Sequence, residues 1–88
     1  MARYAVEISR GAAKALKTLD RRAQVRIVAR LQELAESPRP RDAKKLQGEA
    51  GVYRVREGDY RILYEIFDKR LLIYVLKIGH RREVYRMT

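Results

Sequence analysis

Arg54 and Arg56 stand two residues apart in the run Val52–Glu57, where apolar and charged residues alternate as they do along a β-strand. Successive side chains of a strand point to opposite faces, so this spacing predicts both guanidinium groups on one face, about 7 Å apart. Two phosphate oxygens, or adjacent phosphates, lie within reach of such a pair, and a planar guanidinium can hold a phosphate through two parallel hydrogen bonds. The solvated face of an antiparallel sheet can show the same alternation with no ligand at all. Arg61 weighs against that plainer reading. It sits in the next strand-like run, Tyr60–Phe67, among Ile62, Leu63 and Tyr64, and is expected on the same open face beside the Arg54 strand. Clustered like charges repel, a cost that becomes sensible where an anion binds. Glu57, Asp59 and Glu65 could neutralise some of it, depending on which way each points.

A second group follows in Gly79-His80-Arg81-Arg82-Glu83-Val84-Tyr85, the densest set of chemical groups in the chain. His80, the only histidine, has a side chain whose ordinary pKa lies near neutrality and so could exchange protons in phosphoryl transfer. Its plainer reading is a surface histidine without a role. Tyr85 could stack on a nucleobase or donate a proton, or simply complete the sheet. Arg82, with Lys44 and Lys45 upstream, adds candidate RNA-binding charge. The sequence has no glycine-rich phosphate loop, no metal-ligand spacing and no serine–histidine–carboxylate set, and one histidine without cysteine argues against zinc. A nuclease built from these residues would work without metal or other cofactor. Arginines would meet the charge developing on the phosphate, and a ribose 2′-hydroxyl would be the internal nucleophile, which favours RNA over DNA.

The elements that must position these groups are legible in outline. Residues 2–8 read as a strand with Tyr4, Val6 and Ile8 on one side and Arg3 and Glu7 on the other. Ser9 is placed to cap a first helix with Ala12, Ala15, Leu16 and Leu19 on one stripe. Asp20 is placed to cap a second, whose apolar positions are Ala23, Ile27, Leu31 and Leu34, supported by Val28 and Ala35. Ser37-Pro38-Arg39-Pro40 ends it, and residues 41–51 read as a basic loop touching the core through Leu46. Three strands follow over 52–57, 60–67 and 71–78, joined by Gly58-Asp59 and Asp68-Lys69-Arg70. The last is apolar on both faces and so central, covered on one side by the helices. The fold class expected is α+β: one domain over residues 1–88, ordered β-α-α-β-β-β, with an antiparallel-rich sheet and two helices on one face.

Composition narrows the partners. A formal net charge of +10 over 88 residues, with fifteen arginines to six lysines, attracts polyanions and releases their counterions on binding, which points to nucleic acid or an acidic protein. A surface tuned only for solubility would also be basic or acidic. The absence of cysteine removes disulfides and thiolate chemistry and fits a reducing, cytoplasmic setting. No long apolar run suggests a signal peptide or a membrane span.

Taken together, the element order, the run Gly51-Val52-Tyr53-Arg54-Val55-Arg56, the segment Asp59-Tyr60-Arg61-Ile62-Leu63-Tyr64 and the ending Gly79-His80-Arg81-Arg82-Glu83-Val84-Tyr85 resemble the RelE branch of the RelE/ParE toxins over almost the whole chain. The resemblance implies an mRNA interferase that enters the ribosomal A site, cuts the message there and is held inactive by a cognate antitoxin. Its partners would be that antitoxin, ribosomal RNA and mRNA. By position, Arg54 and Arg56 match the two basic residues of the family's active strand, Arg61 and Arg81 its phosphate-stabilising arginines, and Tyr85 its stacking tyrosine, while His80 falls on another basic position. RelE proteins often carry lysines where this chain has Arg54 and Arg56. Arginine, with a pKa above about 12, is a poor proton acceptor, so the general base is left to His80 as best candidate. The ParE branch shares the fold and inhibits DNA gyrase without catalytic groups, and a non-catalytic relative that binds RNA or antitoxin is the third alternative.

Overall fold

The computed structural model describes residues 3–46, 48 and 51–80. Its elements are strand β1 (Ala5–Ile8), helices α1 (Arg10–Thr18) and α2 (Arg21–Glu36), and strands β2 (Lys44–Lys45), β3 (Val52–Glu57), β4 (Tyr60–Phe67) and β5 (Leu72–His80). The five strands form one sheet in the order β1-β5-β4-β3-β2. β2 through β5 pair antiparallel with their neighbours, and β1 joins β5 in parallel. The expected α+β class holds, and β5 is an inner strand flanked by β1 and β4.

Short-range chemistry sets the helix starts. Ser9 Oγ accepts from the Ala12 amide at 3.0 Å and Asp20 Oδ1 from the Ala23 amide at 2.8 Å, each satisfying a donor that has no partner inside its helix. α2 stops at Glu36, with Ser37 as its C-cap and Pro38 beyond. Ala12 of α1 and Ile27, Leu31 and Leu34 of α2 pack on Val55, Ile62, Tyr64, Ile66, Ile73, Val75 and Ile78 to make the core. All the sheet residues in that set point to one face, which places both helices on that side.

Three expectations need correction. The first strand begins at Ala5. The Tyr4 amide instead donates to the Ala35 carbonyl at 2.9 Å, turning the chain toward the end of α2. The loop over 41–51 contains a two-residue strand, β2, paired with β3 and continued by the Leu46 amide donating to the Val52 carbonyl at 2.9 Å. Val28 is 41% exposed, because α2's buried stripe runs through Ala23, Ile27, Leu31, Leu34 and Ala35 and leaves Val28 on its flank.

The β3–β4 hairpin turns on Gly58 at φ 61°, with Asp59 at negative φ, a two-residue connection of type II′ whose first central position requires glycine. The segment leaving α2 is pinned by side chains. Tyr64 Oη donates to the Pro38 carbonyl at 2.7 Å, and burial pushes that phenol above its ordinary pKa. Arg39 stacks over Tyr53 and donates to Asp68 through both terminal nitrogens, at 3.1 and 2.8 Å, while Tyr4 Oη donates to the same carboxylate at 2.7 Å.

Those bonds, Arg39's first, hold Asp68 at about 2, below its ordinary 3.8. A carboxylate whose folded pKa is depressed stabilises the fold above the unfolded value and loses that contribution as pH falls through the folded one. Acid unfolding followed by circular dichroism is therefore expected to steepen in the parental protein between pH 3.8 and about 2. Asp68→Asn, less stable at neutral pH, lacks that component. Because both ions are exposed, the difference is small and shrinks with added salt.

Candidate nucleic-acid interface on the far face of the sheet

Strand register sorts the functional side chains. Residues opposite one another on neighbouring strands share a face, and the core residues Val55, Ile62 and Ile78 form one such row on the helix side. The residues between them point the other way. On this far face one row runs Lys44, Arg54, Leu63, Lys77 across β2, β3, β4 and β5, and the next runs Arg56, Arg61, Gly79 across β3, β4 and β5. Arg54, Arg56 and Arg61 are thus brought together on the face away from the helices, with directly paired strands about 5 Å apart and the two rows about 7 Å apart. Arg61 is 2% exposed, Arg54 half-buried and Arg56 exposed. Gly79 stands opposite Arg61 and, lacking a side chain, adds no bulk there.

Of the carboxylates expected to offset this charge, Glu57 turns to the helix side and accepts from Arg26 at 3.0 and 3.2 Å. Asp59 lies in the hairpin turn, lining a shallow cavity on the helix side with Asp20, Arg22 and Arg26. Glu65 is on the far face, one row beyond Leu63 and opposite Val52 and Tyr74. None of these three carboxylates stands in the two rows that hold Arg54, Arg56 and Arg61.

A bulge decides the rest. Tyr64 pairs with Val75 and Leu63 with Lys77, so Leu76 is the extra residue on β5. Strict alternation from Ile73 and Val75 would send Lys77 and Gly79 into the core and Ile78 and His80 to the far face. The inserted residue reverses this, burying Ile78 and turning Lys77 and Gly79 to the arginines. It also carries His80 to the helix side, opposite Tyr60, whose ring it meets edge-on with centroids 6.1 Å apart. The register thus places His80, the candidate for proton exchange, on the face opposite the arginines. Lys44 stands beside Arg54, whereas Lys45 pairs with Tyr53 and faces the other way. Arg81, Arg82 and Tyr85 lie outside the described residues. Lys77 is the residue that alternation missed. Its signal was that it is the single lysine in the otherwise apolar stretch LIYVLKIG.

Comparison with known proteins gives the family and the fold. Residues 6–85 match the family model described as the ParE toxin of type II toxin–antitoxin systems. A RelE-type toxin of Methanocaldococcus jannaschii is 31% identical over 87 residues, covering 96% of this chain and 97% of that one. The chain belongs to the RelE branch of the RelE/ParE toxin family. As a RelE-like chain it is the toxin of a type II toxin–antitoxin system. Its fold superposes on the toxin of the Mycobacterium tuberculosis RelBE2 toxin–antitoxin complex with a TM-score of 0.81, at 32% identity over 92% of this chain and 94% of that one. The archaeal RelE–RelB complex from Pyrococcus horikoshii gives a TM-score of 0.80 at 35% identity, covering 92% and 97%. Isolated Escherichia coli RelE gives 0.79 at 27% identity, covering 96% and 93%. The RelE fold is thus present, with Arg54 and Arg56 on its strand β3.

Proposed function

We propose that this RelE-like toxin is an endoribonuclease that cuts mRNA in the ribosomal A site, in the cytoplasm, and so stops translation. The observation that carries the reading is the convergence of Arg54, Arg56 and Arg61 on one sheet face. In the reaction, the ribose 2′-oxygen attacks the adjacent phosphorus in line, the bond from phosphorus to the 5′-oxygen breaks, and the products are a 2′,3′-cyclic phosphate and a 5′-hydroxyl. The proton lost by the 2′-hydroxyl balances the one gained by the leaving oxygen. Arginines stay charged throughout, so their part is electrostatic: they stabilise the additional negative charge on the phosphate oxygens. Arg81 and Tyr85 are assigned by resemblance as a further phosphate contact and a base-stacking ring, and Arg82 and Lys44 as contacts to the RNA backbone. No metal or cofactor is part of this reading.

An antitoxin partner is supported by the RelE–RelB complexes among the structural relatives. Its inhibitory segment is expected to be acidic and to cover the arginine face, where charge complementarity favours association. The family model's description as a ParE toxin keeps one second reading, inhibition of DNA gyrase. Primer extension on mRNA from cells making the toxin separates the two. Cuts confined to translated frames are the expected result. Intact mRNA together with gyrase–DNA complexes trapped by the purified protein would select the gyrase reading.

A further inference from the structure

The bulge at Leu76 has a cost and a product. It breaks the β4–β5 ladder in the middle of the sheet, and what it obtains is a lysine on the arginine face in place of one in the core. Lys77 ends the row Lys44, Arg54, Leu63, Lys77, whose ends are three strand spacings apart, roughly 14 Å. That reach spans more than one phosphate of an extended strand. Leu63, 4% exposed, is the apolar residue between Arg54 and Lys77, so one strand lies between the lysine and the inner arginine. Lys77 is half-buried and stands two residues from Gly79, the position opposite Arg61.

We propose that Lys77 is a positioning residue that holds a phosphate flanking the scissile one, so that the RNA strand crosses the sheet from β2 to β5 with Lys44 and Lys77 at its two sides and the arginines at the bond to be cut. The inference rests on the RNA-cutting reading above and deepens it. A lysine is a compact point charge with rotatable donors, suited to a flanking phosphate that needs charge more than fixed geometry, while the arginine forks suit the phosphate whose geometry changes.

The test is single-turnover cleavage of mRNA on programmed ribosomes, with toxin and potassium chloride concentrations varied. Lys77→Gln is expected to raise the half-saturating toxin concentration about 10- to 100-fold, as loss of one charged hydrogen bond does, while the maximal rate holds. Its log–log dependence on salt should fall by about one unit of slope. Lys77→Arg should restore both. Lys77→Met, which keeps the stem, should behave as the glutamine variant does and guards against a folding defect. Lys69→Gln, in the turn at the other end of the sheet, should match the parental protein. Parental behaviour of Lys77→Gln, with Arg61→Ala inactive, overturns the Lys77 assignment alone. Equal weakening by Lys69→Gln overturns it in favour of bulk charge. A fall in maximal rate that arginine does not restore overturns it in favour of proton transfer. Failure of the parental toxin to cut mRNA overturns the RNA-cutting reading and this inference together.

Discussion

Arg61→Ala is expected to lower single-turnover cleavage of ribosome-bound mRNA by about 10²- to 10³-fold, the usual loss when one preorganised charge donor is removed from a transition state. The magnitude follows from position. Arg61 is buried, lies between Arg56 and Gly79 in its row, and sits on the middle one of the three strands that row crosses. A charge held in a site with little solvent acts on the phosphate with less screening than one in water. Arg61→Lys retains the charge without the guanidinium fork and should recover only part of the loss. Circular dichroism and thermal melting of both variants should show the parental secondary structure, which assigns the loss to chemistry. Cleavage by Arg61→Ala at the parental rate would remove Arg61 from the reaction.

The second large effect is on stability. Ile27 is fully buried at the middle of α2, in the core cluster that the helix shares with Val55, Ile62 and Ile78. Ile27→Ala should cost about 2–5 kcal/mol through lost burial and the cavity left behind, whereas Ile27→Val should cost only about 0.5–1.5 kcal/mol. In a domain of this size, with a total stability of roughly 5–15 kcal/mol, the larger change is a considerable fraction of the whole. Urea unfolding is the measurement, and a shifted midpoint with an unchanged slope is the expected form. Because Ile27 packs against the sheet face opposite the arginines, what remains folded should still cut RNA. An alanine variant as stable as the parental protein would mean that α2 is not anchored through this residue.

The two predictions concern opposite faces of one sheet, and the sequence disclosed those faces unequally. The caps at Ser9 and Asp20 and the stripe through Ile27 and Leu31 were legible because each depends on neighbours within one helical turn. Arg54, Arg56 and Arg61 were legible because alternation runs unbroken along β3 and the start of β4. β5 was legible as an inner strand but not as to facing. An apolar stretch gives alternation nothing to read, and the Leu76 bulge depends on pairing with a distant strand. That one residue sets both facings, taking His80 to the helix side and bringing Lys77 to the arginines. β2 was hidden for a related reason. Two lysines have no apolar period, and they become a strand only through pairing with Tyr53 and Arg54. Val28 was misread because the helical period fits a wider stripe than the sheet covers.

Losing His80 from the arginine face changes the chemical account. The cations there among the described residues are arginines and lysines, so on the reading proposed above their part is charge stabilisation and alignment of the 2′-oxygen with the phosphorus. An attack by the neighbouring 2′-oxygen makes one demand that binding alone does not: the ribose on the 5′ side of the cut must carry its hydroxyl.

The most direct measurement is therefore cleavage of an mRNA, placed on the ribosome, in which a single 2′-deoxyribose replaces the ribose at the bond cut in the all-ribose message. The expected result is loss of the cut at that bond, with the all-ribose control yielding a 2′,3′-cyclic phosphate and a 5′-hydroxyl. Undiminished cutting at the deoxy position, or a 5′-phosphate in the control, would contradict the account.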